Sequence, residues 1–147
     1  MKYVVATVDE IPPGGRKIVD VAGRSIGVFN LGGEFFAVRN RCPHQGGPLC
    51  EGRAAGLVSS SAPGEYSYTR PGEIIRCPWH GWEYDLKTGQ SWFDPRSVRV
   101  RAYEVTLAPG QELASEPGME GFAKGPYVAE TYPVSVEKIY VVVEVAS

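Results

Sequence analysis

Both histidines of this chain lie within three residues of a cysteine, in Cys42-Pro43-His44 and Cys77-Pro78-Trp79-His80. Each stretch supplies one thiolate and one imidazole. A four-ligand set of nitrogen and sulfur is commonly used by zinc or by an iron–sulfur cluster. Structural zinc sites usually place two cysteines in one knuckle and two histidines in another, whereas each knuckle here is mixed. That mixture suits a binuclear centre in which one iron takes both thiolates and the other both imidazoles. A zinc-stabilised binding module is the alternative these residue types allow. Pro43 and Pro78 stiffen the turns after each cysteine. Gly46-Gly47 and Gly81 are expected to let backbone N–H groups approach bridging sulfides.

The third cysteine, Cys50, has no further cysteine to pair with, and it reads as a small buried hydrophobe rather than a redox sensor. Trp79 lies between two candidate ligands and either packs or faces a partner; Trp82 and Trp92 are assigned to packing. Arg41, Arg76 and Arg96 either contact an acidic partner or are simply solvated, and Arg99 and Arg101 read as the wet face of a strand.

The elements that position these loops read as short strands. Ser25–Asn30 and Phe35–Arg39 flank the turn Leu31-Gly32-Gly33-Glu34, a hairpin signature. Val98, Val100 and Ala102 alternate with Arg99 and Arg101, which predicts another strand. Residues 139–145 are rich enough in β-branched side chains for a central or well-covered strand. Pro12-Pro13-Gly14-Gly15 and Asp85–Gly89 punctuate as turns. Between the two Cys-His loops, residues 53–73 carry alternating Tyr66 and Tyr68, compatible with a surface hairpin or with a loop. No apolar spacing sustains a helix over three turns. The class is therefore all-β, an antiparallel sandwich or small barrel.

Composition narrows the function. The 147 residues fit one domain. Gly 18 and Pro 12 mark a turn-rich but ordered chain, and 17 acidic against 15 basic residues give a net charge of −2. That balance offers no excess to neutralise a phosphate backbone, so no nucleic-acid partner is expected. With no transmembrane-length apolar run, no signal-peptide core and an odd cysteine count, a cytoplasmic protein without a membrane partner is expected.

Taken with their flanks, Gly-Gly-Pro-Leu after the first pair and Gly-Trp-Glu-Tyr-Asp-Leu-Lys-Thr-Gly after the second, the two motifs resemble the Rieske [2Fe–2S] proteins. The likeness is greatest to Rieske-type ferredoxins and to the Rieske domains of ring-hydroxylating oxygenases. It covers roughly residues 18–105 and the closing strand near 132–146. It implies one [2Fe–2S] cluster per chain, with Cys42 and Cys77 on one iron and His44 and His80 on the other. It also implies a Rieske-like fold: a single domain 1–147, with a base at about 1–40 and 84–147 and an inserted cluster-binding subdomain at about 41–83. Residues 45–76 separate the loops by about twice the family spacing, which marks an insertion at 53–73; 109–129 looks like a second excursion.

The resemblance implies a soluble electron carrier between a flavin reductase and a terminal oxygenase or other oxidoreductase, docking transiently near the His44/His80 edge through loop tips that carry Pro43, Gln45, Gly46, Pro48, Trp79 and Gly81. A tightly bound subunit of a larger oxidoreductase has the same sequence chemistry. Catalysis by this chain alone is not expected, because a mononuclear iron site needs two further histidines. High-potential relatives carry a Ser after His-Gly, a Tyr two residues later, and a disulfide between the loops. Here Trp82 replaces the Ser, Tyr84 keeps the Tyr, and Gly47 and Trp79 stand where the bridge would be. A potential in the lower part of the Rieske range follows.

Overall fold

The computed structural model describes residues 1–43, 46–62, 65–79, 81–91, 99–113, 122–125, 131–135 and 137–145, with 57–62, 65–71, 124 and 131 described by backbone alone. The chain divides into two units, one of residues 1–37 and 103–147, the other of residues 38–102.

The first unit is built on β1 (Lys2–Thr7), β2 (Arg16–Val21), β3 (Arg24–Leu31), β4 (Glu34–Arg39), β8 (Ala102–Pro109) and β11 (Ile139–Glu144), the intervening strands being given below. They form one antiparallel sheet in the order β1-β11-β8-β4-β3-β2. The expected hairpin is present as β3 and β4. The expected valine-rich strand is β11, which lies between β1 and β8 and so has no free edge. Period-two alternation sends one side chain in two inward. Val5, Val21, Ile26, Val28, Val141 and Val143, each no more than 1% exposed, share a single core with Tyr103 of β8 and Ala37 of β4.

The opposite face of β1 and β11 is also covered. Val4, Tyr140 and Val142 pack against Ala123, Leu113, Tyr132 and Val134, which come from the second excursion and the chain after it. That stretch contains a single helical turn α1 (Gly110–Leu113) and the small ladder β9 (Phe122–Lys124) with β10 (Thr131–Pro133). Burial on both faces explains why β11 reads as nearly continuous valine rather than as a clean alternation.

The two edges of the sheet, β1 and β2, are joined by one side chain instead of a ladder. Lys17 Nζ of β2 donates to the Val5 carbonyl of β1 at 3.0 Å and pairs with Glu10 Oε2 at 2.8 Å. Glu10 in turn closes a capping box with Thr7, accepting the Thr7 backbone N–H at 3.2 Å, and accepts the Tyr132 hydroxyl at 3.2 Å. Burial pushes the Glu10 carboxyl upward, but Lys17, the Thr7 amide and Tyr132 outweigh it and hold Glu10 below its ordinary value. Burial, then the Glu10 carboxylate, pushes Tyr132 up to about 12, so its hydroxyl remains a donor across the neutral range.

The second unit carries a three-stranded sheet, β5 (Arg53–Ala62), β6 (Glu65–Arg76) and β7 (Glu83–Asp85). Residues 53–73, compatible with hairpin or loop in sequence, are a hairpin. Its ladder pairs Arg53 with Arg76 and runs out to Ala62 and Glu65, with irregular register between Ala55 and Leu57 and between Ser59 and Ala62. The turn at Asp85–Gly89 is confirmed: Asp85 Oδ1 accepts the Lys87 N–H at 2.8 Å, and the Gly89 N–H returns to the Asp85 carbonyl at 2.7 Å.

One expected strand is corrected. Among the described residues of 98–102, Arg99 makes a single bridge to Gln90 and the regular strand begins at Ala102. The segment divides its pairing between two neighbours: the Val100 N–H donates to the Gly89 carbonyl at 2.8 Å, a bond that belongs to the Gln90–Arg99 bridge, and the Arg101 carbonyl accepts the Arg39 N–H at 2.9 Å. The alternation holds only in part: Val100 is buried and Arg99 and Arg101 are exposed, but Ala102, expected on the apolar face, is exposed as well. Trp92, Arg96 and Val98 lie outside the described residues, and β1, β2 and β8 are strands that the sequence pattern does not single out. Among the described residues no helix is long and apolar enough to cross a membrane.

Replacing Lys17 with Met removes the link between the sheet edges and strips Glu10 of its cation. The expected cost is about 1 kcal/mol, one partly exposed charge-assisted contact, read as a lower urea midpoint at unchanged m-value. Tyr132→Phe should lower the midpoint by less. A Lys17→Met midpoint equal to wild type would show that the edges hold together without it.

Candidate metal centre

The two cysteine loops are closed in the same way. In the first, the Cys42 N–H donates to the Gly47 carbonyl at 2.8 Å and the Gly46 N–H donates to the Cys42 carbonyl at 2.7 Å. In the second, the Cys77 N–H donates to the Trp82 carbonyl at 2.8 Å and the Gly81 N–H donates to the Cys77 carbonyl at 3.0 Å. Each cysteine thus receives from the residue four positions on and donates to the residue five positions on. The residue at the fourth position must turn left-handed, and it is glycine both times, with φ +79° at Gly46 and +72° at Gly81. The Gly46 and Gly81 N–H groups themselves are engaged by the cysteine carbonyls of their own loops.

Both cysteines are buried, Cys42 at 1% and Cys77 at 2% exposure, while Pro43, Pro78 and Trp79 beside them are exposed. Tyr84, fully buried in β7, brings its hydroxyl to 3.2 Å from Cys42 Sγ. Burial would raise the cost of a bare thiolate; a hydroxyl at the sulfur offsets part of that cost. Tyr84 is fixed by the ladder, since it pairs with Ile75, itself two residues before Cys77.

At Gly47 the two loops come close together. A Cβ there would stand 2.9 Å from Trp79 Cδ2 and 3.1 Å from Cys77 Sγ. The indole of the second loop and the Cys77 sulfur therefore both sit against Gly47 of the first loop, while 57% of Trp79 remains exposed. Trp79 thus packs against Gly47 and still keeps much of its surface exposed. No local pattern announces the Gly47–Trp79 contact, because it joins positions 32 residues apart.

Cys50 is buried among core residues, its N–H bonded to Asn40 Oδ1 at 2.8 Å and its thiol aimed at the Val38 carbonyl at 3.6 Å. No disulfide joins any of the three cysteines. Trp82 is half-buried, Arg41 and Arg76 are exposed, and Arg76 meets Glu83 at 3.2 Å. His44, Gln45 and His80 lie outside the described residues, and among the described residues no group of three or more His, Cys, Asp or Glu is gathered.

Residues 1–104 match the family model of the Rieske [2Fe-2S] domain. The 3-phenylpropionate/cinnamic acid dioxygenase ferredoxin subunit of Photorhabdus laumondii subsp. laumondii is 30% identical over 106 residues, spanning 72% of this chain and 86% of the relative. The solved ferredoxin of Sphingomonas yanoikuyae B1 superposes with a TM-score of 0.53 at 27% identity, over 72% of this chain and 89% of that one. The ferredoxin of carbazole 1,9a-dioxygenase from Nocardioides aromaticivorans IC177 superposes with a TM-score of 0.56 at 23% identity, over 96% of each chain, and so supports the fold.

Gly47→Ala should cost roughly 1–3 kcal/mol, the range for forcing an extra carbon into a packed site. The check is a double-mutant cycle by urea denaturation. Trp79→Ala in the same chain should recover part of the loss, since the ring is the nearest obstacle. Equal losses in the single and double variants would show that the indole is not what Gly47 accommodates.

Proposed function

This chain belongs to the Rieske [2Fe–2S] family, and from that premise we propose that it is a soluble Rieske-type ferredoxin, taking single electrons from a flavin reductase and passing them to a terminal oxygenase or another oxidoreductase. The observation that carries the proposal is the pair of identically closed loops that bury Cys42 and Cys77 under exposed tips. A structural zinc knuckle has no need of a tyrosine hydroxyl aimed at one sulfur; a site that gains charge on reduction does. The residues present fit a [2Fe–2S] cluster: two buried thiols on preformed turns, a hydroxyl at 3.2 Å from one of them, and a glycine where a Cβ would crowd the other.

In this reading Cys42 and Cys77 hold one iron, and His44 and His80 hold the other. Residues 41–83 act as the cluster-binding subdomain of a single domain based on 1–40 and 84–147, with 53–73 an insertion in it. When bound, the cluster supplies a one-electron couple whose charge is neutral when oxidised and −1 when reduced, and this favours a potential above that of four-thiolate ferredoxins. The protein's own work is electrostatic and steric. Tyr84 donates to the Cys42 sulfur, which stabilises the more negative state. The Trp79 indole lies beside the Cys77 sulfur and limits the access of water. The Gly46 and Gly81 turns fix the backbone of both loops around the two cysteines.

The chain performs no substrate chemistry in this scheme; it works in the cytoplasm as the electron-carrying component of an oxidoreductase system. Its partners dock and leave in turn, which calls for a small interface around the exposed loop tips near His44 and His80. Pro43, Pro48 and Trp79 are suited to that role because rigid, uncharged tips lose little freedom on docking.

The purified protein should be brown, contain two irons and two acid-labile sulfides per chain, and give a Rieske-type EPR signal when reduced. A colourless protein holding zinc would refute the proposal. His44→Ala and His80→Ala should each lose that signal, whereas Cys50→Ser should keep it.

Tyr84→Phe tests the electrostatic role separately. Loss of one hydrogen bond worth about 1 kcal/mol in the reduced state should lower the potential by on the order of 40 mV for a one-electron couple. Protein-film voltammetry reads the shift directly; an unchanged or raised potential would remove Tyr84 from the mechanism.

A further inference from the structure

Each cysteine loop is entered through an arginine that folds back over it. Arg41 precedes Cys42, and a Cβ on Gly46 would stand 3.4 Å from Arg41 Nε. Arg76 precedes Cys77, and a Cβ on Gly81 would stand 4.0 Å from Arg76 Cδ. Both side chains are exposed, Arg76 by 61%. On the hairpin ladder the exposed Arg53 stands directly opposite Arg76. Like charges in that position weaken a ladder. Glu83 answers Arg76 from its other side at 3.2 Å. Among the described residues Arg41 and Arg53 have no ion-pair partner.

The charge is segregated along the chain. Residues 38–102 carry nine Lys and Arg against six Asp and Glu, a net of +3, while the other unit carries six against eleven, a net of −5. The overall −2 therefore conceals a basic cluster unit. Arg41 lies over Gly46 and the Trp79 indole over the adjoining Gly47, so a cation and an exposed aromatic ring stand side by side at the loop tips. Aromatic and arginine side chains are the enriched types at protein interfaces.

We propose that Arg41, Arg53 and Arg76 form a cationic docking frame for a carboxylate-rich face of the protein that exchanges electrons with this chain. The proposal rests on the reading of the chain as an electron carrier. The frame explains why a like-charged pair is kept beside a cysteine loop: the positive potential that costs ladder stability also steers an acidic partner to the electron exit.

The test uses the intact, cluster-loaded protein and two inorganic oxidants, anionic hexacyanoferrate(III) and cationic hexaammineruthenium(III). The reduced protein is oxidised by each in stopped flow from about 0.01 M to about 0.1 M salt, which shortens the Debye length from ~30 Å to ~10 Å. The rate with hexacyanoferrate(III) should fall severalfold with salt, and that with hexaammineruthenium(III) should rise. In Arg41→Gln/Arg53→Gln, both dependences should flatten while visible and EPR spectra stay as in wild type. As a readout apart from electron transfer, the wild type should be retained on a carboxymethyl matrix at low salt despite its net negative charge, and the double variant should flow through. Opposite salt slopes, the signs that the overall −2 dictates, would overturn the frame, as would a double variant with wild-type slopes. Tighter binding of a single-stranded oligonucleotide than of poly-glutamate, followed by tryptophan fluorescence, would overturn it in favour of a nucleic-acid surface. A preparation without iron or a Rieske signal instead defeats the carrier reading on which the frame rests.

Discussion

A pair of backbone hydrogen bonds, made twice, is what the functional end of this protein depends on. In each loop the cysteine amide reaches five residues forward and the cysteine carbonyl receives the amide four residues forward. With both backbone groups of the cysteine satisfied internally, the side chain can be buried and aimed without help from a surrounding helix or strand. The constraint also decides the sequence around it. Glycine occupies the fourth position because the chain turns left-handed there, and arginine precedes each cysteine because its long stem can lie back over a residue that has no side chain. Tyr84, Trp79 and Gly47 then refine a geometry that the backbone has already set.

The remainder of the first unit follows a different economy. A sheet of six strands gathers one core from alternate residues, and its edges are closed by Lys17 reaching to the Val5 carbonyl instead of by a further ladder. One lysine, one glutamate and one tyrosine there tie the turn after β1, the edge of β2 and the strand β10 to a single carboxylate. The second excursion, including the short β9–β10 ladder, is not idle length: it covers the outer face of β1 and β11.

Much of this was legible in the residues. The mixed Cys-His knuckles announced the chemistry, the Gly32-Gly33 hairpin and the valine-rich final strand appeared where periodicity put them, and Cys50 proved to be a buried thiol. What stayed hidden was non-local. β8 was missed because Ala102–Pro109 pairs with Ile139–Glu144, and nothing within the segment reveals that partner. The strand expected at 98–102 is shortened because its backbone bonds go to two different neighbours, Gly89 for Val100 and Arg39 for Arg101, and neither neighbour is visible from within the segment. Trp79 stays ambiguous in sequence because its contact with Gly47 joins distant positions while much of its surface is left exposed.

The β5–β6 hairpin has a further consequence. Its base is clamped: Ile74 and Ile75 are buried, Ile75 pairs with both Ala54 and Tyr84, and Tyr84 reaches the Cys42 sulfur. Everything distal to that clamp hangs from a fixed root, and the irregular register beyond Ala55 absorbs changes in length before they reach the cysteines. Such an arm is a natural site for lineage-specific elaboration. Residues can be added, trimmed or exchanged at its far end while the cysteine loops keep their shape, so the outer surface can diverge without redesign of the loops themselves.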